Sequence, residues 1–208
     1  MSTSHRLASS CVFAAALLVS GVGSGCTGLA PAASQPAQRA RNGQVKAEYD
    51  TAGKLQKIEY DRDNDGKLDT WGYMDGVRVV RVEVDRNGDG QIDRWEFHTT
   101  DGVPTPPPAP ADAVDTSLDR IEEPTRFDGK VSRREFFAKG VLAKTEEDTD
   151  GNGAIDKWET YENGALQVMA LDTTGRGTPD RRLLYVGGSV DRVETDPAGT
   201  GTFGPAKP

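Results

Sequence analysis

The chain lacks most of what enzymes and disulfide-held secreted domains depend on. Only two of its 208 residues are cysteine, Cys11 and Cys26, and both fall within the first 26 positions. A domain that starts after them holds no thiol pair, which excludes a disulfide framework as its stabilising device. Histidine is equally scarce, with His5 near the N-terminus and His98 alone in the body of the chain. No serine sits in a Gly-x-Ser-x-Gly setting. Carboxylate pairs are plentiful, but they follow a repeat and do not converge on one locus, so the expectation is a protein that is not an enzyme. His98 reads as a surface strand residue. Aromatics make up 7% and hydrophobic residues 35%, part of them in the N-terminal stretch, which predicts a thin core. Bases are outnumbered, 25 Lys and Arg against 33 Asp and Glu. That balance excludes nucleic acid as a partner, because phosphate binding needs clustered Lys and Arg.

What is present begins with an address. Arg6 precedes an apolar run from Cys11 to Ser20, too short for a spanning helix of about 20 residues, and small residues follow it. Residues 1–25 therefore read as a secretory signal peptide. The segment Gly23-Ser24-Gly25-Cys26 resembles a bacterial lipobox, departing from it at Gly23, where that pattern usually has Leu. The resemblance implies that Cys26 is lipidated and that the protein is held to a membrane of the cell envelope through a lipid anchor. Thr27 in the next position implies the outer membrane, by resemblance to lipoproteins generally. The alternative is ordinary cleavage near Ala30–Ala33. Residues 26–43 are small, polar and Pro-containing, and read as a flexible tether.

From residue 44 the sequence is periodic. Asp61, Asp85, Asp148, Asp172 and Asp196 open similar segments, and the steps 61 to 85, 148 to 172 and 172 to 196 are each 24 residues. A worn copy begins at Pro124. Each unit consists of a nine-residue polar loop, a short aromatic run, a turn and a second apolar run. Asn163-Gly164 between two such runs is a strong hairpin signal, since both central residues of that turn take positive φ. Trp71 with Tyr73, and Trp95 with Phe97, alternate so that both rings of a pair share a strand face. The repeating Trp positions read as core. In the second strand the apolar residues step by three and then two (Leu55, Ile58, Tyr60; Val79, Val82, Val84; Leu166, Met169, Leu171), which implies a bulge or the turn's exit. The one long step, from 85 to 124, is accounted for by residues 99–117. This Pro-rich stretch reads as an overgrown hairpin turn, with an interdomain linker as the alternative. The predicted fold is all-β, a meander of about six hairpins over residues 44–203 followed by a disordered tail at 204–208.

The loops carry the chemistry. Asp85, Asn87, Asp89, Gly90, Ile92, Asp93 and Glu96 match the EF-hand calcium loop at its signature positions, as do Asp148, Asp150, Asn152, Gly153, Ile155, Asp156 and Glu159. Asp61, Asp63, Asp65, Gly66, Leu68 and Asp69 match through position nine, after which Gly72 replaces the acid of position twelve. A hard cation takes six to eight oxygens, so alternate residues of a tight loop point inward and a glycine allows the sharp turn. Calcium is the cofactor this pattern predicts. The flanks differ from a true EF-hand: Val79–Val84 is a strand pattern, not a helix. On an extended strand Glu96 and Glu159 either reach the ion or face solvent, and both readings stand at this point. The loops at Asp172 and Pro124 contain Arg176 and Arg126 among their polar positions and should hold no calcium.

The repeat resembles bacterial lipoproteins built from an Asp-rich loop and a Trp-Glu-x-Tyr…Asn-Gly hairpin unit. That resemblance implies a strand–loop–strand calcium site and no established activity; the expected function is a non-enzymatic calcium-binding lipoprotein of the cell envelope with a structural or adhesive role. The alternative is a scaffold that binds a protein or polysaccharide, with the Asp-rich loops acting only as turns.

Overall fold

The computed structural model describes residues 45–99 and 115–206. The predicted signal peptide, the tether with Cys26, and residues 100–114 of the long turn lie outside the described residues.

One antiparallel sheet of 13 strands holds the whole repeat region, and each strand pairs only with its sequence neighbours. The strands are β1 Val45–Tyr49, β2 Leu55–Tyr60, β3 Thr70–Asp75, β4 Arg78–Val84, β5 Arg94–His98, β6 Leu118–Glu123 and β7 Arg133–Ala138. They continue as β8 Val141–Glu147, β9 Lys157–Glu162, β10 Ala165–Leu171, β11 Arg181–Val186, β12 Ser189–Thr195 and β13 Gly204–Pro205. This is the all-β hairpin meander expected, with a correction at its end. The predicted disordered tail begins with a strand, because Gly204 and Pro205 pair with Thr195 and Glu194.

Turn chemistry sets the alternation. Asn163 and Gly164 both have positive φ, 50° and 78°, and close the hairpin of β9 and β10 on two residues. All hairpin turns therefore fall at one end of the strands and all Asp-rich loops at the other. The bulge implied by the three-residue step is present in the second strand of every hairpin. The register slips past Gln56, Val80, Asp119, Ala143, Gln167 and Asp191, which recur in the same phase as the loops. β5 and β6, which flank the long turn, are paired neighbours, and Thr99 N–H donates to the Ser117 carbonyl at 2.8 Å where that turn begins and ends.

The register sorts residues by face. Trp71, Trp95 and Trp158 lie in one row across the sheet, interleaved with Glu83, Glu122, Arg134 and Glu146. In the next row on that face, aromatic and cationic residues alternate strand by strand. The Arg81 guanidinium stands 4.2 Å from the Tyr73 ring centre and that of Arg120 4.4 Å from Phe97, a cation–π ladder. The opposite face carries Ile58, Gly72, Val82, Glu96, Ile121, Glu135, Thr145, Glu159 and Met169 in one row.

The core is thin, as composition predicted, but it is not where the tryptophans are. Among the described residues the buried apolar side chains are Val82, Leu118 and Ile121. The three tryptophans are half-buried, since among the described residues no second layer covers the sheet. Much of the burial is polar and sits in the loops. Asp61, Asp85, Asp148, Asp172 and Asp196 are buried at loop position one, and Asp69, Asp93, Ser132 and Asp180 at position nine.

Candidate metal centre

Each loop is built around its first aspartate. In every one of the five loops that open with Asp, one carboxylate oxygen accepts the N–H of the glycine five residues on: Gly66 at 2.9 Å, Gly90 at 2.8 Å, Gly153 at 2.8 Å, Gly177 at 2.6 Å and Gly201 at 2.7 Å. In three loops the other oxygen accepts a second glycine N–H, from Gly88, Gly151 or Gly175, at 2.7, 2.7 and 2.8 Å. The ninth-position residue closes the loop. Asp69, Asp93 and Asp180 accept the N–H of Arg62, Arg86 and Thr173 at 2.9, 2.9 and 3.0 Å, and Ser132 Oγ accepts that of Thr125 at 2.9 Å in the worn unit. Gly66 holds a φ of 93° in the turn these bonds define, a region closed to most side chains.

These amide bonds favour the charged carboxylate. Burial is the largest single influence on Asp148, Asp172 and Asp196 and opposes their ionisation, but the several loop hydrogen bonds to each, led by the amides of Gly153, Gly177 and Gly201, together outweigh it and hold all three below the ordinary aspartate value.

Two loops gather carboxylates closely. Asp61, Asp63 and Asp65 form one group and Asp148, Asp150 and Asp156 another, with one oxygen from each member lying within 4.8 Å of the others. Two ligands on opposite sides of a calcium ion, at about 2.4 Å each, are about 4.8 Å apart. The groups differ in what their oxygens already do. Both oxygens of Asp148 accept amides, from Gly151 and Asn152 on one side and Gly153 on the other. Asp61 is 6% exposed, and its Oδ1 is a buried atom without a hydrogen-bond partner among the described residues. A buried carboxylate oxygen left in this state is costly without a proton or a cation beside it.

The remaining expected ligands are distributed unevenly. Asp63 and Asp65 accept the N–H groups two residues on, at 3.2 and 2.8 Å, and stay exposed. Asp69 belongs to neither group and binds Thr70 Oγ1 at 2.7 Å. In the second loop, Asn87 Nδ2 donates to Asp89 at 3.0 Å, Asp85 bonds two glycine amides, and Asp93 holds the Arg86 N–H. In the third, Asn152 donates to both oxygens of Asp150, and Asp156 accepts Thr149 Oγ1 at 2.8 Å. The first two loops also face each other across a cavity of about 340 Å³, which Asp63, Asp65, Asp85, Asp89 and Trp71 help to line.

Glu96 and Glu159 belong to neither group. Glu96 accepts Arg94 Nε at 2.6 Å and stands between Val82 and Ile121. Glu159 is buried, accepting Thr145 Oγ1 at 2.8 Å and Tyr161 OH at 3.0 Å, with Lys157 at 3.2 Å. The solvent-facing alternative does not describe Glu159. An extended strand carries position twelve onto the sheet face, where a cross-strand row takes it up.

Sequence reasoning missed a polar cluster at the base of the long turn. His98, expected at the surface, has a side chain only 5% exposed. Its Nδ1 lies 3.2 Å from an Asp115 oxygen and 3.1 Å from Ser117 Oγ, while Ser117 Oγ donates to Asp115 at 2.6 Å. The His98 hydrogen bond holds the Asp115 carboxyl far below its usual range. This trio has no relay geometry, in which serine and carboxylate bind opposite ring nitrogens. Both gather on Nδ1, and Nε2 is buried without a hydrogen-bond partner among the described residues. The signal available in the sequence was Asp115-Thr-Ser117, an aspartate two residues before a serine ahead of a strand, whose Ser117 N–H bonds back to Asp115 at 2.9 Å.

An EF-hand family model matches residues 83–99, which span the second loop and the strand after it. No curated protein matches the chain. Among solved structures, a crystal structure of a TarM mutant from S. aureus in complex with fondaparinux, alpha-GlcNAc-glycerol and UDP is similar over 62% of this chain and 20% of that one. The identity is 12% and the TM-score 0.26, so the chain spans a fifth of that protein and the likeness carries no argument about function.

Proposed function

We propose that this protein is a non-enzymatic calcium-binding lipoprotein of the cell envelope, anchored through Cys26, whose repeat sheet serves a structural or adhesive role. The observation that carries the calcium reading is Asp61. A carboxylate oxygen is buried without a hydrogen-bond partner among the described residues, inside a group with Asp63 and Asp65, where a hard, oxygen-seeking cation meets the unmet need. The EF-hand match over the second loop supports the same ion. Calcium bound there ties the loop carboxylates together at the ends of β2 and β3 and stabilises the loop. Calorimetric titration of the purified protein with calcium tests it, the expected result being saturable binding that Asp61→Asn weakens by tenfold or more. Heat indistinguishable from buffer dilution overturns it.

A second reading rests on a separate observation. Asp172 and Asp196 make the same glycine-amide bonds as Asp61 and Asp148 in loops without the calcium pattern. On that reading every loop is a self-sufficient turn, and the sheet is a scaffold for a protein or polysaccharide. The titration separates the two.

A further inference from the structure

The Asp-rich loops form a row along one end of the sheet, and arginines reach from one loop to the next. Arg126 belongs to the worn loop, at the position where neighbouring loops carry Asp63, Asn87 or Asp150. Its Nη2 donates to the Thr149 carbonyl in the following loop at 2.6 Å. The guanidinium also packs against Gly151: a Cβ built there would lie 2.7 Å from Arg126 Nη1 and 2.9 Å from its Cζ. Thr149 and Gly151 flank Asp150, and Gly151 N–H is itself bonded to Asp148. A positive charge is thus seated against the backbone of the loop that carries the Asp148, Asp150 and Asp156 group. The corresponding glycine of the second loop, Gly88, has nothing within 4 Å of a built Cβ. Arg62 reaches that loop only through a 3.5 Å contact to the Arg86 carbonyl. At the far end, Arg176 repeats the arrangement of Arg126. It donates to the Asp196 carbonyl at 2.6 Å and packs against Gly199.

We infer that Arg126 is the resident cation of the Asp148 loop and sets its ion affinity below that of the Asp61 loop, so that calcium fills the row in order, Asp61 first. This rests on the calcium reading above and adds a residue that determines affinity. The reasoning is electrostatic and geometric. A guanidinium held against the backbone of a loop with three gathered carboxylates offsets part of their charge through space, and it repels a divalent cation entering the same group. The oxygens support the same order, since Asp148 has both engaged by amides whereas Asp61 keeps one without a partner. An arginine from the worn loop thereby does for the Asp148 loop part of what an ion would do for the Asp61 loop. It pairs with a neighbour's carbonyl and offsets that neighbour's negative charge.

Calcium titration of the full chain, compared with Arg126→Gln and Arg126→Lys, tests this directly. The Asp61→Asn and Asp148→Asn variants assign each binding step to its loop. The expected wild-type result is a tighter step lost in Asp61→Asn and a weaker one lost in Asp148→Asn. Arg126→Gln should tighten the weaker step by about tenfold, the size expected for removal of one unit charge near a divalent ion in partly solvated space. Arg126→Lys, which keeps the charge, should leave it near wild type. A first step that is present with a second step unmoved or weakened by Arg126→Gln overturns the role of Arg126 and leaves the calcium reading intact. Absence of both steps in wild type overturns the calcium reading and this inference together. Thermal melting in chelator provides a readout free of calcium: Arg126→Gln should melt lower than wild type through loss of the bond to Thr149. An unchanged melting temperature contradicts the seating of Arg126 in that loop.

Discussion

Thr145 and Glu159 stand directly opposite each other on β8 and β9, and Thr145 Oγ1 donates a 2.8 Å hydrogen bond to Glu159 Oε2. Thr145 is fully buried. The acid that completes an EF-hand loop is here a member of the sheet. Replacing Glu159 with Ala should lower stability by about 2 kcal/mol, since it takes the acceptor from the buried Thr145 hydroxyl and from Tyr161 OH, while the calcium affinity of the Asp148 loop stays within twofold of wild type. Denaturant unfolding and calcium titration of the same variant measure the two effects. A large loss of affinity with stability intact would return Glu159 to the ligand set.

Acid should loosen the loops through their aspartates. Asp148, Asp172 and Asp196 have folded values below the ordinary one, so the unfolded chain binds more protons in that range and stability rises with pH. Their contribution is complete above the unfolded value of about 3.9 and is lost as pH falls through the lower folded values. The urea midpoint in chelator should hold between pH 7 and 5 and fall below about pH 4. A midpoint that is flat down to pH 3 would contradict the amide-bonded loop.

Much of the fold could be read in the sequence because it is written several times. The 24-residue phase, the Asn163-Gly164 turn and the three-residue apolar step each correspond to an observed hairpin or bulge. The same repetition misled about burial. Tryptophans in phase read as core, yet a single sheet leaves Trp71, Trp95 and Trp158 half-buried and buries loop aspartates instead. The position of Glu159 was out of reach because loop spacing says nothing of the cross-strand partner, which comes from another unit. His98 was misjudged for a related reason, since its partners Asp115 and Ser117 lie across the long turn. Gly204 and Pro205 gave no strand signal, and their pairing is supplied by the open edge of β12.

The long turn should be dispensable while its base is not. Replacing residues 100–114 with a short Gly- and Asn-containing link should leave a cooperatively folding protein of equal or higher melting temperature, because closure entropy changes slowly with loop length. His98→Ala should cost about 1–2 kcal/mol by removing the imidazole contact from Asp115 and Ser117, which then keep only their bonds to each other. Differential scanning calorimetry of both variants measures this. Loss of a single cooperative transition in the shortened chain would point to two lobes joined by a linker.

The anchor is tested apart from the sheet. Cys26→Ser should abolish acyl labelling and move the protein from the membrane to the soluble fraction. Retention with the membrane at the wild-type level would contradict lipid attachment.

The central claim is that calcium occupies the Asp61 loop and stabilises the sheet, and thermal melting in calcium against chelator tests it most directly. With about 2 mM calcium and a dissociation constant of about 0.1 mM, within the range of extracellular loops, one site adds about 1.8 kcal/mol. For a domain of this size that corresponds to a rise of about 4–7 °C. The expected result is such a rise for wild type and its loss in Asp61→Asn. Identical melting of wild type in chelator and in millimolar calcium would contradict the account and leave the loops as turns.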